Sequence, residues 1–258
     1  MNSSTPGIEP ELHARRAASF GAKAAAYAAH RPDYPEKALA WGLAGARTTP
    51  ERVLDLGAGT GKLTEGLLAL GLAVTAVEPD AKMLEELTKA FPGVTPLIGT
   101  AEKIPLPDES VDAVVVGQAF HWFDLDRAYP EMARVLKPGG VVAALWNHDD
   151  DGSAGWLAEL NALIKTSVSR RWLNDYESLP EHEALEPFER ETFGHKQPRT
   201  AESLVETLAT HSHMLVASAE EREAKLRTAR EFLDRNPETA SGEFDLPLTT
   251  IVFRARKR

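Results

Sequence analysis

An apolar stretch at residues 52–56 runs directly into a loop with glycine at positions 57, 59 and 61. The segment after this loop has the apolar spacing of a helix, with Leu63, Leu67 and Leu70 in the i, i+4, i+7 pattern and Gly71 at its end. A buried strand that turns through glycines into a helix is the place where an open α/β sheet binds its ligand. This junction therefore favours a fold made of strand–helix units.

The alternation of apolar strands with amphipathic helices continues to about residue 148 and predicts a parallel sheet covered on both faces. Asp80 is predicted to cap the second of these helices, and the segment from Lys137 to Gly140 is predicted to end the third. After Asn147 the pattern changes. The sequence there predicts three helices and two strands, at Gly155–Trp172, Glu202–Ala209, Glu220–Leu233, Phe188–Lys196 and Leu248–Ala255.

Composition excludes several classes of protein. The 258 residues contain no cysteine, which excludes a disulfide scaffold, a thiolate nucleophile and a cysteine-based zinc site. The net charge of −10 argues against an extended nucleic-acid surface, with the basic tail at residues 254–258 as a local exception. The longest apolar runs are too short to cross a bilayer and the N-terminus lacks a secretory pattern, so we expect a cytoplasmic protein with no membrane partner.

Two acidic residues indicate which ligand the glycine loop binds, one just before the loop and one at the end of the next predicted strand. A dinucleotide fingerprint would require glycine at position 62, where this chain has Lys62. Asp55 precedes the loop, and a carboxylate there would repel a pyrophosphate but attract an ammonium or sulfonium group. Glu78 follows Gly57 by 21 residues, the distance at which an acid can accept hydrogen bonds from a ribose. Alternatively, Glu78 only caps the helix that begins at Asp80.

The loop and the segments after it resemble a known family. Asp55–Gly61 is similar to motif I of the class I S-adenosylmethionine-dependent methyltransferases. The later landmarks of that family are matched in order by Val77–Asp80, Gly99–Glu102, Pro105–Val111 and Leu136–Gly140. The subgroup resembled is the small-molecule group of type 11 methyltransferases, which includes UbiE-like and trans-aconitate methyltransferase-like proteins. Tyr27–Pro35 and Gln118–Phe123 are similar to the trans-aconitate methyltransferase-like proteins.

The resemblance implies a Rossmann-like, doubly wound α/β fold with a mostly parallel seven-stranded sheet, helices on both faces and a helical cover. It implies a single methyltransferase domain at residues 20–258, preceded by a disordered stretch at 1–19. Within the domain, residues 20–50 would form a lid, 51–148 the cofactor-binding core, and 149–258 the rest of the sheet and the substrate-side cover.

S-adenosylmethionine is the cofactor that the resemblance implies, and its contacts carry over position by position. Asp55 would orient the methionine amino group, Glu78 would hold the ribose hydroxyls, and Gln118 would lie beside the sulfonium. Many relatives have Asp where this chain has Thr100, so a side-chain bond to the adenine amino group is not carried over. The remaining implied cofactor contacts are Tyr27, Arg31, Gly57, Ala58, Gly59, Gly61, Pro79, Thr100, Ala101 and Glu102.

Methyl transfer to a small organic acceptor requires alignment more than covalent chemistry, because the sulfonium methyl is already activated. A base is needed only when the acceptor arrives protonated. His121 is the first candidate for this base and His148 the second, although His121 could instead belong to a packed aromatic cluster and His148 to a solvated loop. The predicted substrate pocket comprises Tyr34, Phe120, Trp122, Trp146 and His148.

Other readings of the sequence remain. Tyr27, Arg31 and Tyr34 are expected in a lid, with Arg31 near the methionine carboxylate, but the same segment could be an ordinary helix packed on the sheet. The function could be that of a non-catalytic S-adenosylmethionine-binding module, or of a nicotinamide-dependent oxidoreductase. No metal site is expected, since His211 and His213 are two residues apart and do not share a helix face. The segment after the fourth strand lacks the Asn/Asp-Pro-Pro-Tyr pattern of enzymes that methylate base amines, so no nucleic-acid partner is expected, and the oligomeric state is left open.

Overall fold

A computed structural model describes residues 31–167 and 178–258. In this part of the chain, seven strands form one sheet in the order β3-β2-β1-β4-β5-β7-β6. β7 pairs antiparallel with both β5 and β6, and the pairs among β1 to β5 are parallel. The predicted doubly wound, mostly parallel fold is confirmed. The strands are β1 Arg52–Leu56, β2 Ala73–Glu78, β3 Thr95–Ile98, β4 Val111–Gly117, β5 Leu136–Asp149, β6 Glu189–Arg199 and β7 Phe244–Arg256.

Helices cover the sheet on both sides and at one end. A short 3₁₀ turn, Phe120–Trp122, follows β4. The α-helices are α1 Glu36–Leu43, α2 Lys62–Ala69, α3 Ala81–Ala90, α4 Leu125–Val135, α5 Gly155–Leu163, α6 Ala201–Ala209, α7 Ser212–Val216 and α8 Ala219–Arg235.

The central strands β1 and β4 are mostly apolar because both of their faces are buried. In β1, Leu54 and Leu56 belong to the core on one side of the sheet, while Val53 belongs to the core on the other side. β4 divides in the same way, with Val114 on the first side and Val115 on the second. The period-2 alternation of a strand thus builds two cores from one continuous apolar stretch.

Several element ends agree with the sequence signals and two do not. Asp80 caps α3 as predicted, accepting hydrogen bonds from the backbone of Lys82 and Met83 at 2.9 and 3.2 Å. The Lys137–Gly140 segment does not end a helix: α4 ends at Val135 and β5 already begins at Leu136, paired with Val111.

The second difference concerns α5, which was predicted to run from Gly155 to Trp172. The helix ends at Leu163, and residues 164–167 are not helical. Residues 168–172 of the prediction lie outside the described part of the chain, as do the predicted disordered stretch at 1–19 and Tyr27.

A third apolar cluster joins the cover to the sheet. Trp156 and Leu160 of α5 pack with Leu204 of α6, Leu233 of α8 and Leu248 of β7. The large apolar residues of α5 therefore belong to the core, apart from Leu163, which is 37% exposed. Within the described ranges, no helix has the length and apolar character needed to cross a bilayer.

The basic tail belongs to the fold. Arg254 stacks over the Trp41 ring at 3.9 Å and pairs with Glu189. Arg256, Lys257 and Arg258 donate to backbone carbonyls of neighbouring segments, those of Gly45, Leu136 and Leu185. Residues 254–258 thus use their positive charges in contacts within the fold.

Candidate active site

The glycine loop lies at the switch point of the sheet, where β1 is flanked by β2 on one side and β4 on the other. Gly57, Gly59 and Gly61 all have positive φ, at 71, 56 and 94°. A Cβ at Gly57 would lie 2.7 Å from that of Ala119, and one at Gly61 would lie 2.8 Å from the Phe91 ring. At Gly59 the nearest atom would be 3.8 Å away, so this side of the loop is open to a ligand.

Glu78 ties the loop to the end of β2. Its side chain is 7% exposed, and its two carboxylate oxygens accept hydrogen bonds from the backbone N–H groups of Gly59 and Asp80, at 2.9 and 3.0 Å. Burial raises the pKa of Glu78. The carboxylate supports the turn before α3, and each oxygen retains a lone pair for a further donor.

Asp55 lies beneath the loop and is fully buried. The hydroxyl of Thr64 donates to its Oδ2 at 2.5 Å, while its Oδ1 accepts no hydrogen bond from the described residues. Burial raises the pKa of Asp55 to about 7, and the nearby Glu78 carboxylate adds to this increase. The structure thus shows a buried carboxylate that is short of a donor.

Gln118 follows β4 in the left-handed region, with φ of 56°. A non-glycine residue there is uncommon and costs energy, so the surrounding contacts must hold it. Its backbone N–H donates to the Leu145 carbonyl at 2.9 Å, and its side-chain amide donates to the Asn147 carbonyl at 2.8 Å. Both bonds fix Gln118 against the end of β5.

Residues 31–35 cover the opening beside the loop. The Asp33 carboxylate pairs with Lys62 at 2.9 Å, and the Asp33 carbonyl accepts from the Asn147 side chain at 3.0 Å. Arg31 donates to the Thr210 carbonyl at 3.0 Å. Arg31, Pro32 and Tyr34 border the pocket, while α1 packs on the sheet through Ala38 and Leu39. The lid expected at residues 20–50 stays a prediction.

A pocket opens between this cover and the glycine loop. Six of its lining residues were predicted from the sequence: Arg31, Tyr34, Gly57, Ala58, Gly59 and Gln118. Six others were missed: Pro32, Thr60, Lys62, Leu63, Gly117 and Asn147. Asn147 carried a usable signal, because it is the first polar residue after the apolar run Val141–Trp146. Gln118 likewise directly follows an apolar strand, β4. Gly117 is required because a Cβ there would lie 2.6 Å from the Tyr34 hydroxyl.

Four other predicted cofactor contacts lie near the ends of β2 and β3, outside this pocket. Pro79 and Thr100 are exposed, Ala101 is buried at 3%, and Glu102 is half-buried. The Glu102 carboxylate accepts from the Asp124 backbone at 2.9 Å, which joins this segment to the start of α4.

The aromatic residues separate into core and surface. Phe120 and Trp146 are only 2% and 1% exposed and meet edge-to-face at 6.0 Å, so the structure places them in the core rather than on a pocket wall. His121 and Trp122 are half-buried, with ring centroids 4.8 Å apart. The Trp146 indole nitrogen lies 3.5 Å from Nδ1 of His121 and can donate to it. His121 therefore joins an aromatic cluster at the end of β4.

His148 lies on the other face of β5 from the pocket. Alternation along a strand puts Asn147 on one face and both Trp146 and His148 on the opposite one. His148 is half-buried, and its pKa is lowered by burial and by the nearby Arg190. It is not the solvated loop histidine of the alternative reading.

His211 and His213 border the cover helices, with ring centroids 5.6 Å apart. Burial, together with the nearby Arg31, holds the pKa of His211 well below its usual value. In residues 31–167 and 178–258, no cluster of three or more His, Asp or Glu side chains is arranged to hold a metal ion.

The pocket fits a ligand that brings hydrogen-bond donors to this strand edge. Besides Oδ1 of Asp55, the hydroxyl of Thr60 is buried with no partner among the described residues, and Thr60 lines the pocket. A buried polar atom left unsatisfied costs about 1–3 kcal/mol, so such atoms indicate a missing partner. Gly59, whose Cβ position is open, lies between Asp55 and Thr60 in the sequence.

Comparison with known proteins identifies the family. Residues 54–144 match the family model described as "Methyltransferase domain". An uncharacterised methyltransferase of Mycobacterium tuberculosis is 42% identical over 241 residues, which cover 92% of this chain and 95% of the relative. The chain belongs to the methyltransferase family.

Two further comparisons extend this result. A malonyl-[acyl-carrier protein] O-methyltransferase of Methylococcus capsulatus is 41% identical over 135 residues, which cover 48% of each chain. A solved structure from Anaeromyxobacter dehalogenans, assigned to the type II methyltransferases, is 27% identical with a TM-score of 0.67, covering 88% of this chain and 97% of that one. The predicted class I methyltransferase fold is confirmed.

Proposed function

We propose that this methyltransferase transfers the methyl group of S-adenosylmethionine to a small organic molecule by direct in-line displacement. The observation that carries the proposal is the pocket at the switch point of the sheet, bordered by the glycine loop and covered by residues 31–35. The domain division belongs to the same proposal: residues 20–50 act as the lid, 51–148 as the cofactor core, and 149–258 as the substrate-side cover.

The cofactor would be held by three groups of this chain. The open face of Gly59 and its neighbours would accommodate the methionine portion, and Glu78 would accept from the ribose hydroxyls while keeping its backbone bonds. The Asp55 carboxylate would accept a hydrogen bond from the positively charged amino group, either directly or through the Thr60 hydroxyl. When bound, the cofactor supplies an electrophilic methyl group on a sulfonium.

The other residues would align the acceptor and exclude water. Residues 31–35 close one side of the pocket, and Gln118 is held rigidly at the end of β4 by two hydrogen bonds. Such orientation can supply several kcal/mol of the barrier without a covalent intermediate. His121 would accept a proton only from an acceptor that arrives protonated, such as a hydroxyl or an ammonium.

Two observations favour a small acceptor. The pocket is bordered on one side by Arg31, Pro32 and Tyr34 and on the other by the glycine loop, so an acceptor must reach it past that segment. In the Methylococcus relative, the group named as methylated is a malonyl unit, which is small although its carrier is a protein. The acidic net charge and the internal contacts of the basic tail argue against a nucleic-acid acceptor.

Transfer of a labelled methyl group tests the proposal. The purified protein is incubated with methyl-labelled S-adenosylmethionine and panels of small acids, amines and alcohols, with total RNA and an acyl carrier protein in parallel. We expect label in a small product, with one S-adenosylhomocysteine formed for each methyl transferred. Label found only in RNA would contradict the acceptor class. Cofactor binding without turnover on any panel would favour the non-catalytic module.

A further inference from the structure

Asn147, near the end of β5, connects three parts of the molecule. Its side-chain N–H donates to the Asp33 carbonyl at 3.0 Å, and its side-chain oxygen accepts from the Thr250 hydroxyl at 2.5 Å. Its backbone carbonyl accepts from the side chain of Gln118 at 2.8 Å. The residue thus bonds to the segment over the pocket, to β7 and to the end of β4.

The orientation of the Asn147 amide follows from its partners. The carbonyls of Asp33 and Pro32, 3.0 and 3.5 Å from Nδ2, can only accept hydrogen bonds. The NH₂ group must therefore face residues 31–35, which turns the amide oxygen towards Thr250. Thr250 is fully buried, so its hydroxyl has no water to donate to and bonds to that oxygen.

The segment that Asn147 holds forms part of the pocket wall. Arg31, Pro32 and Tyr34 line the pocket, and the Asp33 carboxylate between them pairs with Lys62 at the start of α2. Asn147 holds this segment through the Asp33 carbonyl, and Lys62 holds it through the Asp33 carboxylate. Lys62 and Asp33 are both partly exposed, so their ion pair is weak.

We propose that Asn147 is a positioning residue that latches residues 31–35 over the cofactor pocket, and that Thr250 orients it for this task. The inference goes beyond the proposed function, and it rests on that function only where cofactor affinity is measured. Thr250 is buried in β7 and does not line the pocket, so its effect on a ligand must pass through Asn147.

The test compares Thr250→Val, which removes the hydroxyl at nearly constant size, with Thr250→Ser, which retains it. Thr239→Val is the matched control: Thr239 is also buried and its hydroxyl donates to the Leu233 carbonyl at 2.7 Å, in the turn after α8. All three variants lose some packing or a buried hydrogen bond, so they separate a general loss of stability from loss of the latch.

Two readouts are needed. Because the chain has no cysteine, Pro32→Cys introduces a single thiol, whose rate of labelling by a disulfide reagent reports opening of the segment without any ligand. Calorimetric titration with S-adenosylhomocysteine reports the effect on the pocket. We expect Thr250→Val to speed labelling and to weaken binding by about three- to tenfold, since a lost hydrogen bond of this kind has roughly that effect. For Thr250→Ser and Thr239→Val, the labelling rate and the affinity should each stay within about twofold of those of the parent, which is the protein without the threonine substitution.

Equal labelling rates for Thr250→Val and the parent would overturn the latch. Equal acceleration by Thr239→Val would also overturn it, because the effect would then be general loosening. Faster labelling in Thr250→Val alone, combined with no binding of S-adenosylhomocysteine by the parent protein, would support the latch and contradict the proposed function.

Discussion

Glu78 performs a structural task that leaves room for a ligand. Its carboxylate holds the backbone of Gly59 and Asp80, which explains why an acid ends β2 even without a cofactor. Each oxygen accepts one of these bonds and can accept a second from a ribose hydroxyl. The two interpretations of Glu78 in the sequence are therefore compatible, and a measurement must separate them.

Glu78→Ala should weaken S-adenosylhomocysteine binding by roughly ten- to a hundredfold while the protein remains folded, since hydrogen bonds to a charged group contribute about 1.5–3 kcal/mol. Calorimetry gives the affinity, and circular dichroism gives the fold. Asp112→Ala is the control, because Asp112 is also buried and its carboxylate also accepts two backbone hydrogen bonds, from Glu51 and Arg52, but it does not line the pocket. Unchanged affinity in Glu78→Ala would remove the ribose assignment.

Asp55 makes a prediction about pH. Its folded pKa of about 7 lies above 3.8, the ordinary value for an aspartate in the unfolded chain, so between these values the folded protein binds a proton that the unfolded chain has released. Stability from this group is therefore lost as the pH rises through that interval. Lowering the pH from 7.5 to 5.5 should stabilise the wild type by about 2 kcal/mol more than Asp55→Asn.

Urea unfolding of both proteins at the two pH values measures this difference. Glu78, whose pKa is raised in the same direction, is present in both proteins, so its contribution largely cancels. Parallel pH dependence in the two proteins would show that Asp55 is already ionised in the folded state at pH 5.5.

His121 makes a prediction about turnover. If it accepts a proton from the acceptor, His121→Ala should lower kcat by roughly a hundredfold with little change in cofactor affinity. His148→Ala is the comparison, because His148 is the second candidate base and lies in β5 rather than in the turn after β4. Equal losses of kcat and affinity, or no loss, would return His121 to the aromatic cluster that it forms with Trp122 and Trp146.

At the scale of elements, the glycine loop combines backbone strain with an open ligand face. Gly59→Ala and Gly71→Ala place a side chain at φ of 56 and 77°, each at a cost of about 1–2 kcal/mol. Neither position has a close neighbour for the new methyl group, but Gly59 lines the pocket and Gly71 ends α2. The two variants should therefore lose similar stability.

Only Gly59→Ala should lose affinity for S-adenosylhomocysteine, by about tenfold or more, because its methyl group would occupy the ligand side of the loop. Thermal unfolding checks the matched stability loss, and calorimetry checks the affinity. A similar loss of affinity in Gly71→Ala would mean that the effect comes from instability and not from the loop.

Most elements could be predicted because their signals are local. The apolar period, the Asp80 cap and the glycine at 71 each act within a few residues. The Lys137–Gly140 segment misled the prediction because Pro and Gly normally end helices, whereas here Gly139, with φ of 76°, lies in an irregular part of β5 between the pairs Val111–Leu136 and Ala113–Val141. The prediction made α5 too long because the apolar spacing continues beyond its end, where Ile164 is buried although the helix has already ended.

At the scale of the whole molecule, the contacts that close the pocket join distant parts of the chain. Arg31 bonds to residue 210, and Asn147 bonds to Thr250 across 103 positions. No periodicity or motif records such a pairing, which is why the contacts of Asn147 with Asp33 and Thr250 could not be predicted while the glycine loop could. The sheet order that brings β7 beside β5 is what places Thr250 behind Asn147.

The central claim is that the pocket beside the glycine loop binds S-adenosylmethionine. Calorimetric titration of the wild-type protein with S-adenosylmethionine, S-adenosylhomocysteine and NAD in parallel tests it most directly. We predict saturable one-to-one binding of the first two ligands, weakened in Glu78→Ala and in Gly59→Ala, and no heat of binding for NAD. Binding of NAD alone, or S-adenosylmethionine binding that neither variant weakens, would contradict the account.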